Sequence, residues 1–301
     1  MQVGFIGLGR MGSAMVQRLL QGKHQVVGND RSPESIRQAE RHGARGAQSF
    51  QDLVKQLSLP RIVWLMVPQG EPTESTITSL APLLSSGDVV IDGGNSYYRD
   101  SIRRAAMLKE RGLHFTDVGT SGGVWGLIEG YSLMIGGETD VVQRLRPIFE
   151  TLAPAPDKGW GHVGPNGAGH FVKMVHNGIE YGLMQAYSEG FAIMKAKKEF
   201  ELDLHAIAET WRYGSVVRSW LLDLTAAALS QDRDLKQVKP WVADSGEGRW
   251  TVQEAMDLEV SAPVITESVL RRLRSREENP FADKLLAALR RAFGGHATKT
   301  E

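Results

Sequence analysis

Lys173, His176, Asn177 and Glu180 stand at i, i+3, i+4 and i+7. On a helix that spacing puts an amine, an imidazole, an amide and a carboxyl group on one stripe. An amine kept neutral by burial can accept a proton, and a carboxyl group nearby can return one. Val172, Val175, Ile179 and Leu183 occupy the opposite face and are expected to pack into a core. Taken alone, the stripe could be an ordinary polar face with one charge pair.

Two glycine-rich turns strengthen the chemical reading. Asp92-Gly93-Gly94-Asn95-Ser96 follows a strand-like run, Asp88–Ile91, and Thr120-Ser121-Gly122-Gly123 follows another, Leu113–Asp117. Ligands in doubly wound folds sit beyond the carboxyl ends of strands, where glycine lets backbone approach closely. Structural turns would explain either motif singly. With the helix stripe they predict a cleft between domains.

Gly7-Leu8-Gly9-Arg10-Met11-Gly12 fits G-x-G-x-x-G, directly after the strand Val3–Ile6 and before a helix. In that setting the glycines give a tight turn, close approach to a pyrophosphate and tight helix–strand packing. The helix N-terminus adds free N–H groups. Asp30 ends the second strand, 18 residues after Gly12, where an acid accepts from ribose hydroxyls. A carboxylate there repels a 2′-phosphate and favours NAD, while the neighbouring Arg31 leaves NADP activity open.

The elements that must position these groups alternate in the first half of the chain. Strands are expected at Val3–Ile6, Gln25–Asn29, Arg61–Val67, Asp88–Ile91, Leu113–Asp117 and Ser132–Gly136. Helices are expected at Met11–Gln21, Pro33–His42, Thr73–Leu84, Tyr98–Arg111 and Asp140–Leu152. That order specifies an α/β Rossmann-type, doubly wound domain with a mostly parallel sheet. Pro154–Gly169 holds three prolines, turn-rich at its end, and marks a boundary. Beyond it only helices are expected, at His170–Lys197, Asp203–Trp211, Val216–Leu229, Thr251–Leu258, Ala262–Arg276 and Phe281–Phe293. The division is therefore 1–165 for dinucleotide binding and 166–301 as an all-α substrate and dimerisation domain.

Bulk properties narrow the function classes. Basic and acidic residues balance at 35 each, which gives no general attraction to nucleic acid or an anionic membrane. The chain contains no cysteine, so disulfides, thiolate metal sites and cysteine nucleophiles are excluded. Neither H-E-x-x-H nor a carboxylate cluster is found, and no metal is expected. No signal-peptide pattern opens the sequence and no apolar run nears the roughly 20 residues of a membrane span. A cytoplasmic protein is expected.

Taken in order, Gly7–Gly12, Ile91–Ser96, Asp117–Gly123, Ser132-Leu133-Met134-Ile135-Gly136-Gly137 and Lys173–Tyr181 resemble 6-phosphogluconate dehydrogenase. Gly248-Arg249-Trp250-Thr251, Ile265-Thr266-Glu267-Ser268 and Phe293-Gly294-Gly295-His296 extend the resemblance. It implies oxidative decarboxylation of 6-phosphogluconate to ribulose 5-phosphate with reduction of NAD, NADP being the second candidate. Lys173 would be the base and Glu180 the acid that protonates carbon 1. Asn95, Ser121, Gly122, Gly123, His176 and Asn177 would hold the substrate's carboxylate and hydroxyls, with Asn95 also near the cofactor. Tyr181 and Arg249 would bind its phosphate. Arg290 and His296 would reach a neighbouring subunit's site, making the protein a homodimer or homotetramer.

Three departures from the long forms stand out, of which the Val124-Trp125 pair, with the shorter chain, matches the short form of the family. Arg249 stands where long forms have lysine, Asp30-Arg31-Ser32 where they have Asn-Arg-Thr, and Val124-Trp125 where they have two acids. A second phosphate arginine is left open among Arg271, Arg272, Arg274 and Arg276. Two alternatives stand beside this reading: a β-hydroxyacid dehydrogenase of the 3-hydroxyisobutyrate type, without decarboxylation, and a non-catalytic dinucleotide sensor.

Overall fold

The structure, a computed structural model, describes residues 1–294. Contacts group the chain into two units, Met1–His176 and Asn177–Glu301. The first holds strands β1 (Gln2–Ile6), β2 (Gln25–Asn29), β3 (Arg45–Gly46), β4 (Ile62–Leu65), β5 (Val89–Asp92), β6 (His114–Ser121), β7 (Ser132–Gly137) and β8 (Trp160–Gly164). Between them run helices α1 (Arg10–Gln21), α2 (Pro33–Arg41), α3 (Phe50–Lys55), α4 (Glu71–Leu80), α5 (Tyr98–Lys109), α6 (Gly126–Glu129) and α7 (Thr139–Leu152).

The strands form one sheet in the order β3-β2-β1-β4-β5-β6-β7-β8. Every pairing is parallel except β6 with β7. Chain order reverses at β1, which lies between β2 and β4, and the glycine turn emerges at that switch point. Alternation along the strands serves two cores. Phe5, Trp64 and Ile91 face one cluster with Met15 and Phe149, while Ile6, Leu65 and Val90 face the other with Leu53 and Ile77.

Two strands and two helices go beyond the sequence reading. β3, α3 and α6 are too short to show a period. Inside the turn-rich Pro154–Gly169 lies β8, an edge strand whose alternation is masked by Gly161 and His162. β6 also outlasts its expected end by four residues, through Ser121, because β7 pairs with it up to Ser121.

The remaining helices are α8 (Ala168–Ala196), α9 (Leu204–Trp211), α10 (Trp220–Gln231), α11 (Glu247–Asp257), α12 (Pro263–Arg274) and α13 (Phe281–Gly294). Side-chain caps set two of their starts. Asp203 accepts from the Ala206 N–H, and Ser219 accepts from the Leu222 N–H, which moves the start of α10 past the expected Val216. Phe191, Ala208, Leu222, Ala226 and Leu229 form a core of the second unit. Among the described residues, the expected apolar face of α8 stays outside any core: Ile179 is 54% and Leu183 47% exposed. Within the second unit that helix packs by its other side instead, Gly178 lying against Thr251, and Tyr181 against Gly248. Among the described residues no helix is long and apolar enough to cross a membrane.

The head of α8 is fastened to β6. Asp117 accepts from the N–H groups of Gly167 (2.7 Å) and His170 (2.9 Å), supplying the cap that the helix sequence lacks. Two residues on, a Cβ at Gly119 would overlap the Cβ of Lys173 and the carbonyl of Gly169. Gly119→Ala should therefore destabilise the protein by about 1–3 kcal/mol, the usual cost of overpacking. A thermal or denaturant melt that matches the parent protein would contradict this packing.

Candidate active site

Lys173 lies in the first turns of α8 with 6% of its surface exposed, its stem filling the space left by Gly119. Its amine is 3.3 Å from His176 Nδ1, and the proton on that contact depends on the protonation of both groups. β6 then leads into Ser121, Gly122 and Gly123 at the same rim. Gly122 and Gly123 hold φ of 138° and 53°, values that favour glycine and turn the chain there. The Thr120 hydroxyl, 3.5 Å from the Gly93 carbonyl, links this rim to the neighbouring glycine turn.

Asn95 is the exposed tip of that neighbouring turn. Asp92, fully buried at the end of β5, accepts from Gly94 N–H (3.1 Å) and from the Ser96 hydroxyl (2.7 Å). Arg104 of α5, 1% exposed, lies 3.5 Å from the same Asp92 oxygen and 2.9 Å from Glu74. A buried carboxylate needs such a counter-charge, and the buried guanidinium finds its own in Asp92 and Glu74. The hydrogen bond from Arg103, helped by Arg104, holds the Glu74 carboxyl at about 2, well below its ordinary 4.5.

The glycine turn fits a pyrophosphate on three counts. Gly7 has φ 95° and no room for a Cβ against the Met66 carbonyl, whereas a Cβ at Gly9 would meet nothing within 4 Å. Gly9 is also the N-cap of α1 and offers it no side-chain acceptor, and the first turn has no acid. Those N–H donors are disposed for a ligand. Leu8 is buried behind the turn, Met11 is half-buried, and Arg10 is exposed beside it. Asp30 accepts from Leu8 N–H (2.6 Å) and Ser32 N–H (2.8 Å), which fixes it above the glycine turn with lone pairs to spare. Arg31 beside it is exposed.

In the second unit, Asn177 is buried and donates to Glu247, while Glu180 is half-buried on the same helix. The Tyr181 hydroxyl meets Ser245 Oγ at 3.1 Å, and burial raises its pKa despite that hydrogen bond. The Arg272 guanidinium lies over the Tyr181 ring, 3.6 Å from its centroid, and donates to the Ala243 carbonyl. Among the four candidate arginines, Arg274 instead pairs with Asp283, and Arg276 lies 3.8 Å from Asp244. The arginine that the sequence left open and the structure brings to Tyr181 is thus Arg272. Arg249 pairs through Nε with Asp244 at 2.9 Å. Arg290 is on the exposed α13, and His296 lies outside the described residues. Among the described residues no group of three or more His, Asp or Glu side chains is placed to hold a metal ion.

A doubly wound sheet with a dinucleotide turn, followed by a helical unit entered through a lysine-bearing helix, defines a nicotinamide-dependent dehydrogenase. Residues 2–164 match the NAD binding domain of 6-phosphogluconate dehydrogenase, and residues 169–299 match that enzyme's C-terminal domain. The chain belongs to the 6-phosphogluconate dehydrogenase family. An NAD(+)-dependent, decarboxylating 6-phosphogluconate dehydrogenase of Haloferax volcanii is 46% identical, over 98% of each chain. An NADP(+)-dependent relative of Bacillus subtilis is 39% identical over 95% of this chain but only 64% of its own length. The Plasmodium falciparum 6-phosphogluconate dehydrogenase structure superposes with a TM-score of 0.84 at 27% identity, covering 100% of this chain and 66% of that one.

Several positioning residues were not singled out in the sequence. Asp92 and Asp244 each precede glycine closely, an Asx-turn signal that could have marked them. Arg104 gives no such signal, since nothing local distinguishes a buried arginine on a basic helix. Two outcomes check this geometry. Asp30→Ala should raise the ratio of NADP to NAD catalytic efficiency (kcat/KM), and an unchanged ratio would place cofactor choice elsewhere. Glu74 contributes stability above 4.5 that is lost as pH falls toward about 2. Glu74→Gln should therefore flatten the fall in Tm between about pH 5 and pH 2; parallel curves for the two proteins would refute it.

Proposed function

We propose that the chain oxidises and decarboxylates 6-phosphogluconate to ribulose 5-phosphate and carbon dioxide, with NAD as the preferred cofactor and NADP as a poorer one. The observation that carries this reading is Lys173, a buried amine at the strand rim, with Glu180 two helical turns further along α8. When bound, the nicotinamide supplies the acceptor for the hydride. Residues 1–165 hold the dinucleotide, through Gly7–Gly12, Asp30, Arg31 and Asn95, and residues 166–301 supply the base, the acid and the phosphate contacts for the substrate.

Lys173, neutral at the outset, takes the proton of the carbon-3 hydroxyl as hydride leaves that carbon. Burial disfavours the charged amine and so suits it to this first step. The resulting β-keto acid breaks its carbon 1–carbon 2 bond, releasing carbon dioxide while electrons move onto the carbon-3 oxygen. Protonated Lys173 stabilises that developing negative charge and returns its proton. Glu180 then protonates carbon 1 of the five-carbon enediol, carbon 2 of the substrate, while Lys173 takes back the proton of the adjacent enol hydroxyl, which gives the ketopentose.

Asn95, Ser121, Gly122, Gly123, His176 and Asn177 hold the carboxylate and hydroxyls. Tyr181, Arg249 and Arg272 receive the phosphate; the first lies about 12 Å beyond Lys173 along α8 at 1.5 Å per residue. The exposed apolar face of α8 supports a homodimer or homotetramer, in which Arg290 and His296 complete a neighbour's site. The site of action is the cytoplasm.

The test is to follow reduced cofactor and carbon dioxide together with 6-phosphogluconate as substrate. Both should rise in equal amounts. Reduced cofactor without gas would assign a simple β-hydroxyacid oxidation instead. Lys173→Met should lower kcat by at least about 100-fold, the span of general base catalysis, while NAD still binds. Turnover near that of the parent protein would remove Lys173 from this role.

A further inference from the structure

The turn Asp244-Ser245-Gly246-Glu247 leads into α11, and three of its side chains each fasten a recognition group. Glu247 accepts from Asn177, Ser245 meets the Tyr181 hydroxyl, and Asp244 forms an ion pair with Arg249. Asp244 is the most constrained of the three. One of its oxygens accepts from the Gly246 N–H at 3.0 Å, closing the turn. The other takes Arg249 Nε at 2.9 Å and lies 3.8 Å from Arg276 Nη1. Its side chain is 4% exposed, against 60% for Arg249 and 40% for Arg276. The acid is therefore a buried footing, and the cations stand on it.

We infer that Asp244 is a positioning residue that assembles Arg249 and Arg276 beside Arg272 into a clamp for the substrate's terminal phosphate. It thereby sets the preference for phosphorylated over unphosphorylated sugar acids. This rests on the phosphate reading given above. The contact through Nε matters, because it leaves the Nη donors of Arg249 for a bidentate grip on phosphate oxygens. An arginine side chain has many rotamers, and one held in place before binding loses less freedom when the ligand arrives.

The sign of the effect separates this role from plain electrostatics. Removing the negative charge beside the Arg249 and Arg276 guanidinium groups would, by Coulomb attraction alone, tighten the binding of an anion. Loss of the footing predicts weaker binding. In Asp244→Ala the KM for 6-phosphogluconate should rise at least about tenfold. Asp244→Asn, which keeps one acceptor, should show a smaller rise. The competitive inhibition constant of inorganic phosphate should rise by the same factor, with kcat and the KM for NAD within about twofold of the parent protein. A KM for 6-phosphogluconate that stays level or falls, or one that rises without the phosphate constant, would overturn the inference. So would a parallel rise in the KM for NAD, which marks general damage. Should the parent protein not turn over 6-phosphogluconate, the functional reading fails by itself. Calorimetry of inorganic phosphate with the parent protein and Asp244→Ala then decides the clamp: weaker binding in the variant supports it, and equal or tighter binding removes it.

Discussion

Asp117 belongs to a strand yet completes a helix. Its carboxylate, buried on β6, takes the N–H groups of Gly167 and His170 at the start of α8, where the helix has donors and no side chain of its own to receive them. An anion at a helix N-terminus is also favoured by the aligned peptide dipoles. The same strand provides Gly119, whose missing side chain lets the Lys173 stem lie directly on the sheet. One strand thus fixes where the helix begins, how it is rotated and how deeply its amine is buried. The rim turn that follows, Ser121 to Gly123, is set by that strand as well.

A second network does for the other rim turn what Asp117 does for the helix. Asp92 has its oxygens divided between the turn it closes and Arg104, and Arg104 is in turn satisfied by Glu74. Buried charges of this kind add little stability over an apolar core, but removing one partner leaves the other uncompensated. Both rims therefore depend on carboxylates that lie beneath the surface. Asp244 repeats the pattern in the helical unit.

The parts of the molecule governed by local pattern were readable from the sequence. Alternating apolar runs gave the sheet, the glycine spacing gave the dinucleotide turn, and the i, i+3, i+4, i+7 stripe gave the residues of α8. What escaped depends on distant partners. β8 is held by pairing with β7 and has no alternation of its own. The role of Asp117 requires knowing that a helix starts next to its strand, 50 residues later in the chain. Arg272 could not be told from Arg271, Arg274 and Arg276 until α12 was laid against Tyr181. The apolar stripe Val172–Leu183 was misjudged for the opposite reason: its period suits a buried face, but a period does not say whether anything in the chain covers it.

The fit between Gly119 and Lys173 also limits how this scaffold can be altered. Because the Cβ of residue 173 lies hard against the backbone of β6, only side chains unbranched at that carbon enter the slot without collision. Lysine, methionine, glutamine and arginine share that shape; valine, isoleucine and threonine do not. Any redesign that seeks a different reactive group here must draw it from the unbranched set, or rebuild the strand at the same time. Positions 119 and 173 consequently constrain each other sterically, and a change at one is accommodated only as far as the other allows.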